Sequence, residues 1–200
     1  MKLTRLFLKA KHWQLFLLIF GIPFVFQIIL MLSTIFQLFT SINPDPTVMF
    51  KFMNFIPFII LIPTLTLFGW LWSIGMGFQN KIPVNVKLKV KRFKLFFFIP
   101  FIYILIFILI FSFILLNVIS MNPNPNLGLI ALLFAIIFPL HLFSIFCIFY
   151  TFYFIAKTIK TVELQRDVVF ADFIGEFFML WFYPVGIWIL QPKINKLTTP

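Results

Sequence analysis

The chain has 200 residues, of which 62% are hydrophobic and 10% charged, and its mean hydropathy is +1.11. A soluble domain is near half apolar, so this composition excludes an ordinary water-soluble fold and indicates a membrane protein. Sixteen Lys and Arg stand against five Asp and Glu; in such a chain the excess reads as loops held against anionic lipid headgroups, and no direct nucleic-acid binding is expected.

The single Cys147 cannot form an intrachain disulfide, and one Cys with two distant His assembles no metal site. Phe is the most conspicuous residue, at 33 positions. It is as lipid-soluble as Leu, and we read its abundance as compositional.

Residues 1–12 carry Lys2, Arg5, Lys9 and Lys11 between apolar residues. They are either a short helix lying at the membrane interface or a frayed basic terminus. An apolar run follows over 13–40, too long for a secretory signal and without a small-residue cleavage site, so an uncleaved first span is expected. At 1.5 Å per residue it measures roughly 40 Å, more than the ~30 Å hydrocarbon core. Tilt, or a kink at Gly21 to Pro23, takes up the excess. Gln27 and Gln37 lie nearly on one face of it, as interhelical hydrogen-bonding residues or as part of a substrate path.

The polar loop Ser-Ile-Asn-Pro-Asp-Pro-Thr at 41–47 is rich in turn formers. Span two is expected over about 55–78. The segment 80–94 then alternates: Val84, Val86, Leu88 and Val90 interleave with Asn85, Lys87, Lys89 and Lys91. That period-2 pattern is an extended strip on the bilayer or a short strand. Lys87, Lys89, Lys91, Arg92 and Lys94 would contact lipid headgroups or a partner. Span three is expected over about 95–119, with Asn117 near its end. A second loop, Ser-Met-Asn-Pro-Asn-Pro-Asn at 120–126, precedes span four over about 127–156.

The two Asn-Pro loops are 79 residues apart, and each follows a span with an Ile-Pro pair near its start, Ile22-Pro23 and Ile99-Pro100. We infer a tandem duplication of a two-helix hairpin, about 1–79 and 80–160, with 161–200 as a separate C-terminal segment. By segment, Lys and Arg number four before span one, one in the first loop, six in the second, none in the third and three after span four. This asymmetry puts the N-terminus in the cytoplasm of a bacterial inner membrane.

The C-terminal segment is apolar, yet it carries Asp172 and Glu176, a Pro184-Val-Gly186 break and a basic end. A carboxylate at mid-bilayer costs about 2.5–3.5 kcal/mol on insertion scales, and a fifth span would strand Lys193 and Lys196 outside. The expected fold is therefore an all-α integral membrane protein: four transmembrane helices as two tandem hairpins, plus a C-terminal re-entrant or interfacial helix-break-helix.

Asp172 and Glu176 share a helix face, and Glu163 and Asp167 repeat that spacing with Arg166 between them. They form a proton or cation site or a docking face for a basic partner, or else they are ion-paired with the lysines of 87–94, Lys157 or Lys160. His141 is a lone intramembrane histidine, either a hydrogen-bonded packing residue or a relay. Trp13, Trp181, Tyr183 and Trp188 read as interfacial anchors. No catalytic set, phosphate loop or cofactor motif is present. The expected function is a non-enzymatic inner-membrane subunit or accessory for a soluble cytoplasmic partner. The alternative is a small oligomeric transporter or channel, which would need Gln27, Gln37, Asn117, His141, Asp172 and Glu176 to converge.

Overall fold

A computed structural model describes residues 2–40, 55–119 and 127–198, and every regular element among them is helical. In chain order these are α1 (Lys2–Lys9), α2 (His12–Phe16), a π turn (Leu17–Gly21), α3 (Ile22–Thr40), α4 (Ile56–Gly77), a 3-10 turn (Gln79–Lys81), α5 (Val90–Ile119), α6 (Leu127–Leu164), α7 (Phe170–Trp181) and α8 (Tyr183–Thr198). Among the described residues four stretches are long and apolar enough to cross a membrane: His12–Gln37, Ile56–Lys81, Val90–Ser112 and Phe134–Leu164. Their outward faces carry Phe24, Phe36, Phe58, Leu109 and Phe134, all more than 60% exposed. Such faces require an apolar solvent, so the architecture is that of a membrane-embedded helical protein.

The kink expected near Gly21 is a π turn. The N–H of Ile22 reaches back to the Leu17 carbonyl, one residue beyond the α register, just before Pro23 removes a donor. Segment 82–89 is neither helix nor strand: it turns at Val84 and Asn85, where the Val86 N–H reaches the Pro83 carbonyl at 3.0 Å, and only 86–89 runs on as an irregular strip with Val86 buried and Lys87 and Lys89 exposed. Helix resumes at Val90, five residues before the expected start of span three, and carries Lys91, Arg92 and Lys94 in its first turns. α6 runs to Leu164, eight residues past the expected end of span four. Its 38 residues measure about 57 Å at 1.5 Å per residue. A ~30 Å core cannot cover that length, so Lys157, Lys160 and Glu163 have room to project beyond lipid. The Asn-Pro loops at 41–47 and 120–126 lie outside the described residues. Of the matched Ile-Pro pairs, Pro23 is the second residue of α3 and Pro100 sits inside α5.

The core gathers at the basic end of the bundle. α1 is a folded helix, not a frayed terminus, and it packs against α4 and α8. Gly69, Ser73 and Gly77 recur every four residues on α4, a small-residue stripe that admits a neighbouring backbone. A Cβ on Gly69 would stand 2.7 Å from the Phe7 ring, and one on Gly77 2.6 Å from Leu8 Cδ1. Gly75, on another face, leaves the space that the fully buried Phe93 ring fills. Phe93 in turn stacks on Phe154 of α6 with centroids 4.4 Å apart.

α7 and α8 pack on each other and on α6, and α8 also packs on α1 and α2. The chain breaks between them at Phe182 (φ −90°, ψ 50°), while Pro184 is already the second residue of α8. The break thus precedes the expected Pro-Val-Gly turn, because Pro fits the first turn of a helix without losing a bond. Gly186 has a different task. A Cβ there would overlap the Met179 carbonyl oxygen, so the glycine lets α7 and α8 touch backbone to backbone.

Candidate functional site

α6, α7 and α8 converge on a closed ring of charge. Lys160 Nζ lies 2.9 Å from Glu163 Oε2 and 3.4 Å from Glu176 Oε1. Lys193 Nζ lies 2.6 Å from Glu163 Oε2 and 2.7 Å from Glu176 Oε1. Each ammonium therefore bridges both carboxylates, one from α6 and one from α7, and the ring carries no net charge. The Glu176 side chain is only 9% exposed. Burial at that level is tolerable for a carboxylate only with such partners.

Beside the ring, the turn from α6 to α7 is held by a second set of pairs. Gln165 ends α6 in the left-handed region (φ 52°), a conformation that favours glycine. Its side chain offsets that strain, donating from Nε2 to the carbonyls of Val162 (2.7 Å) and Lys81 (3.3 Å). Arg166 forms a two-pronged pair with Asp172, at 3.2 and 3.1 Å. Asp172 Oδ2 also accepts the Val169 N–H at 3.0 Å, capping α7 from its third residue, where an anion suits the helix dipole. Asp167 pairs with Lys157 at 3.1 Å and accepts the Val168 N–H at 2.9 Å. These contacts hold both aspartates below the usual carboxylate range. For Asp172 the Val169 N–H contributes most and then Arg166; for Asp167 it is Lys157 and then the Val168 N–H.

Of the expected carboxylates, then, Asp172 and Glu176 share a face but not a partner set. One caps and braces a turn, and the other closes the ring. Lys157 and Lys160 are paired as the ion-pair alternative required, while none of Lys87, Lys89, Lys91, Arg92 and Lys94 pairs with a described carboxylate. His141 Nδ1 lies 3.2 Å from the Tyr103 hydroxyl, linking α6 to α5. Gln27 and Gln37 sit on α3, and Asn117 lies two residues before the end of α5. Trp188 packs against His12 (4.6 Å between centroids) and Phe16 (5.4 Å), and Tyr183 stacks on Phe20 (5.3 Å). Trp181 meets Phe149 edge-on at 4.8 Å. These three aromatics join the C-terminal helices to α2, the π turn and α6, and Trp181 and Trp188 remain as exposed as Trp13.

Sequence reasoning missed the buried hub at Gln191. Its Oε1 accepts the Trp70 indole N–H at 2.7 Å. Its two Nε2 hydrogens are shared among the carbonyls of Phe7 (3.0 Å) and Ala10 (2.8 Å) and Asn195 Oδ1 (2.9 Å). Asn195 Nδ2 donates to the same Ala10 carbonyl at 3.2 Å. The hub thereby satisfies the carbonyls that the end of α1 leaves open and ties α1, α4 and α8 together. The i, i+4 spacing of Gln191 and Asn195 at the polar end of α8 was the available signal. Lys81 Nζ donates to the carbonyls of Leu197 (2.7 Å) and Thr198 (3.4 Å), placing a cation at the C-terminus of α8.

Among the described residues, no three His, Cys, Asp or Glu side chains gather in a way that would hold a metal ion. Compared with known proteins, the chain matches no family model, no curated protein and no solved structure.

Proposed function

We propose that the chain is a non-enzymatic subunit of a bacterial inner membrane that presents a folded, charged end to a soluble cytoplasmic partner. The observation that carries this reading is where the charge sits. Four carboxylates and Lys157, Lys160, Arg166 and Lys193 are locked into pairs at one junction. The same end holds α1 and the strip before α5, through Gln191, Gln165 and Lys81. A rigid polar platform on an apolar four-helix body is the form of a docking subunit.

In this reading the four spans are two tandem hairpins, about 1–79 and 80–160, with the N-terminus in the cytoplasm. α7 and α8 form a re-entrant or interfacial pair within the segment 161–200. Their 12 and 16 residues reach only about 18 and 24 Å, short of the ~30 Å core. The transporter alternative draws less support from a single chain. Gln27 stands on α3, His141 on α6 against Tyr103, and Glu176 in the lysine ring on α7.

The test is purification of the tagged full chain from native membranes in mild detergent, with mass and co-purifying proteins determined together. A stoichiometric soluble partner that is lost on charge reversal of the exposed Lys91 and Lys94 supports the reading. A homo-oligomer with no partner that conducts ions in liposomes overturns it in favour of a pore. A C-terminal reporter found outside the cell would sink the topology.

A further inference from the structure

The charge accounts at the basic end do not balance. Glu163 and Glu176 are taken by Lys160 and Lys193, Asp167 by Lys157 and Asp172 by Arg166. The remaining carboxylate of the chain, Asp45, lies outside the described residues. Lys87, Lys89 and Arg92 therefore have no carboxylate partner among the described residues, yet they line one cavity of about 320 Å³ together with Lys157 and the Tyr150 and Tyr153 side chains.

The cavity is built from three directions. Lys87 and Lys89 come from the irregular strip, Arg92 from the first turn of α5, and the tyrosines and Lys157 from α6. Leu88 and Phe154 give it an apolar portion. Its aromatic wall is braced from behind: Tyr150 packs on Phe96 at 4.6 Å, Phe154 on Phe93 at 4.4 Å and Tyr153 on Phe173 at 5.2 Å. Lys91 and Lys94 belong to the same basic run but do not line it.

We infer that this cavity binds the phosphoryl group of an anionic lipid headgroup. A guanidinium grips phosphate oxygens in two-pronged fashion, ammonium groups add point charge, and phenol hydroxyls donate further bonds. The volume falls within the ordinary range of ligand pockets, about 300–1,000 Å³. Basic pockets between membrane helices are headgroup sites, and tyrosine sits well at that depth. The lipid as source rests on the membrane reading; the phosphoryl chemistry rests on the cavity alone and needs no protein partner.

The test uses the full chain in non-ionic detergent, with native mass spectrometry reading the binding of dioctanoyl phosphatidylglycerol against dioctanoylglycerol, which lacks the phosphoryl group. The expected result is saturable binding of the phospholipid only. It weakens roughly tenfold or more when Lys87→Gln and Arg92→Gln are combined, as loss of two near-surface charges requires. Combining Lys91→Gln with Lys94→Gln, equal in charge removed, leaves it unchanged. Tyr150→Phe, a milder change, weakens it in the same direction and serves if the double variant fails to fold. Equal loss in both double variants, or binding that never saturates, overturns the site in favour of diffuse attraction. Inorganic phosphate is the competitor. If it displaces the lipid at low concentration, the phosphoryl site stands and the lipid source is overturned; if it fails to compete, the lipid source stands. A partner absent from the co-purification leaves all of these outcomes readable.

Discussion

The indole N–H of Trp70 donates to Gln191 Oε1 at 2.7 Å, across 121 positions of sequence, where both side chains are fully buried. One amide thereby joins the second span to the last helix and, through its Nε2, to the end of the first helix. Gln191→Leu roughly keeps the volume but leaves the buried Trp70 indole N–H without its acceptor, while the Phe7 and Ala10 carbonyls keep the Ala10 N–H and Asn195 Nδ2. An orphaned buried donor costs about 1–3 kcal/mol. We expect the variant to unfold at clearly lower temperature in detergent, and Trp70→Phe, which orphans Gln191 Oε1 and opens a cavity, to do so as well. Thermal melts of the two variants check both.

Gly186 and Gly175 make a matched pair of controls. A Cβ at Gly186 overlaps the Met179 carbonyl, whereas one at Gly175 meets nothing within 4 Å. Gly186→Ala forces α7 and α8 apart and is expected to expose both to protease. Gly175→Ala should hold or slightly raise stability, since alanine is the better helix former by about 1 kcal/mol. Limited proteolysis with mass readout separates the two outcomes.

The lysine–glutamate ring predicts non-additivity. Glu176→Gln removes the most buried charge and leaves two ammonium groups to share Glu163, at a cost on the order of 1–3 kcal/mol. Lys193→Met in the same background restores the charge balance of the ring. The double variant is expected to be more stable than the sum of the singles implies, by more than the ~0.5 kcal/mol seen for independent sites. A double-mutant cycle by chemical denaturation measures it.

The turn between α6 and α7 should loosen in acid. Asp167 and Asp172 both have carboxyls held below the usual aspartate range in the folded protein. A depressed carboxylate contributes stability above its unfolded pKa of about 3.9 and loses it as pH falls through the lower folded value. Hydrogen exchange at Val168 and Val169 should therefore be protected at neutral pH and rise, after correction for intrinsic rates, below about pH 4. Asp172→Asn should abolish that dependence at Val169 while sparing Val168, whose acceptor is Asp167.

Composition and local pattern determined much of this protein. Apolar runs longer than a bilayer, bounded by basic or Asn-Pro segments, place four helices without any knowledge of their neighbours, because lipid rewards each run by itself. The alternation beginning at Val84 likewise marked a stretch, up to Lys89, where helix does not continue. The tertiary structure alone decided what those polar residues are for. Which of five basic side chains between 87 and 94 line a cavity depends on how the strip and α5 pack on α6, and that Lys193 would close a ring with Glu176 depends on how α6, α7 and α8 pack. The packing of α8 on α7 rests on a contact with no sequence-local sign, the approach of Gly186 to the Met179 carbonyl. Hydrophobicity is a property of each segment and can be read one segment at a time. Pairing of buried polar groups is a property of neighbours, and the chain must fold before it has any.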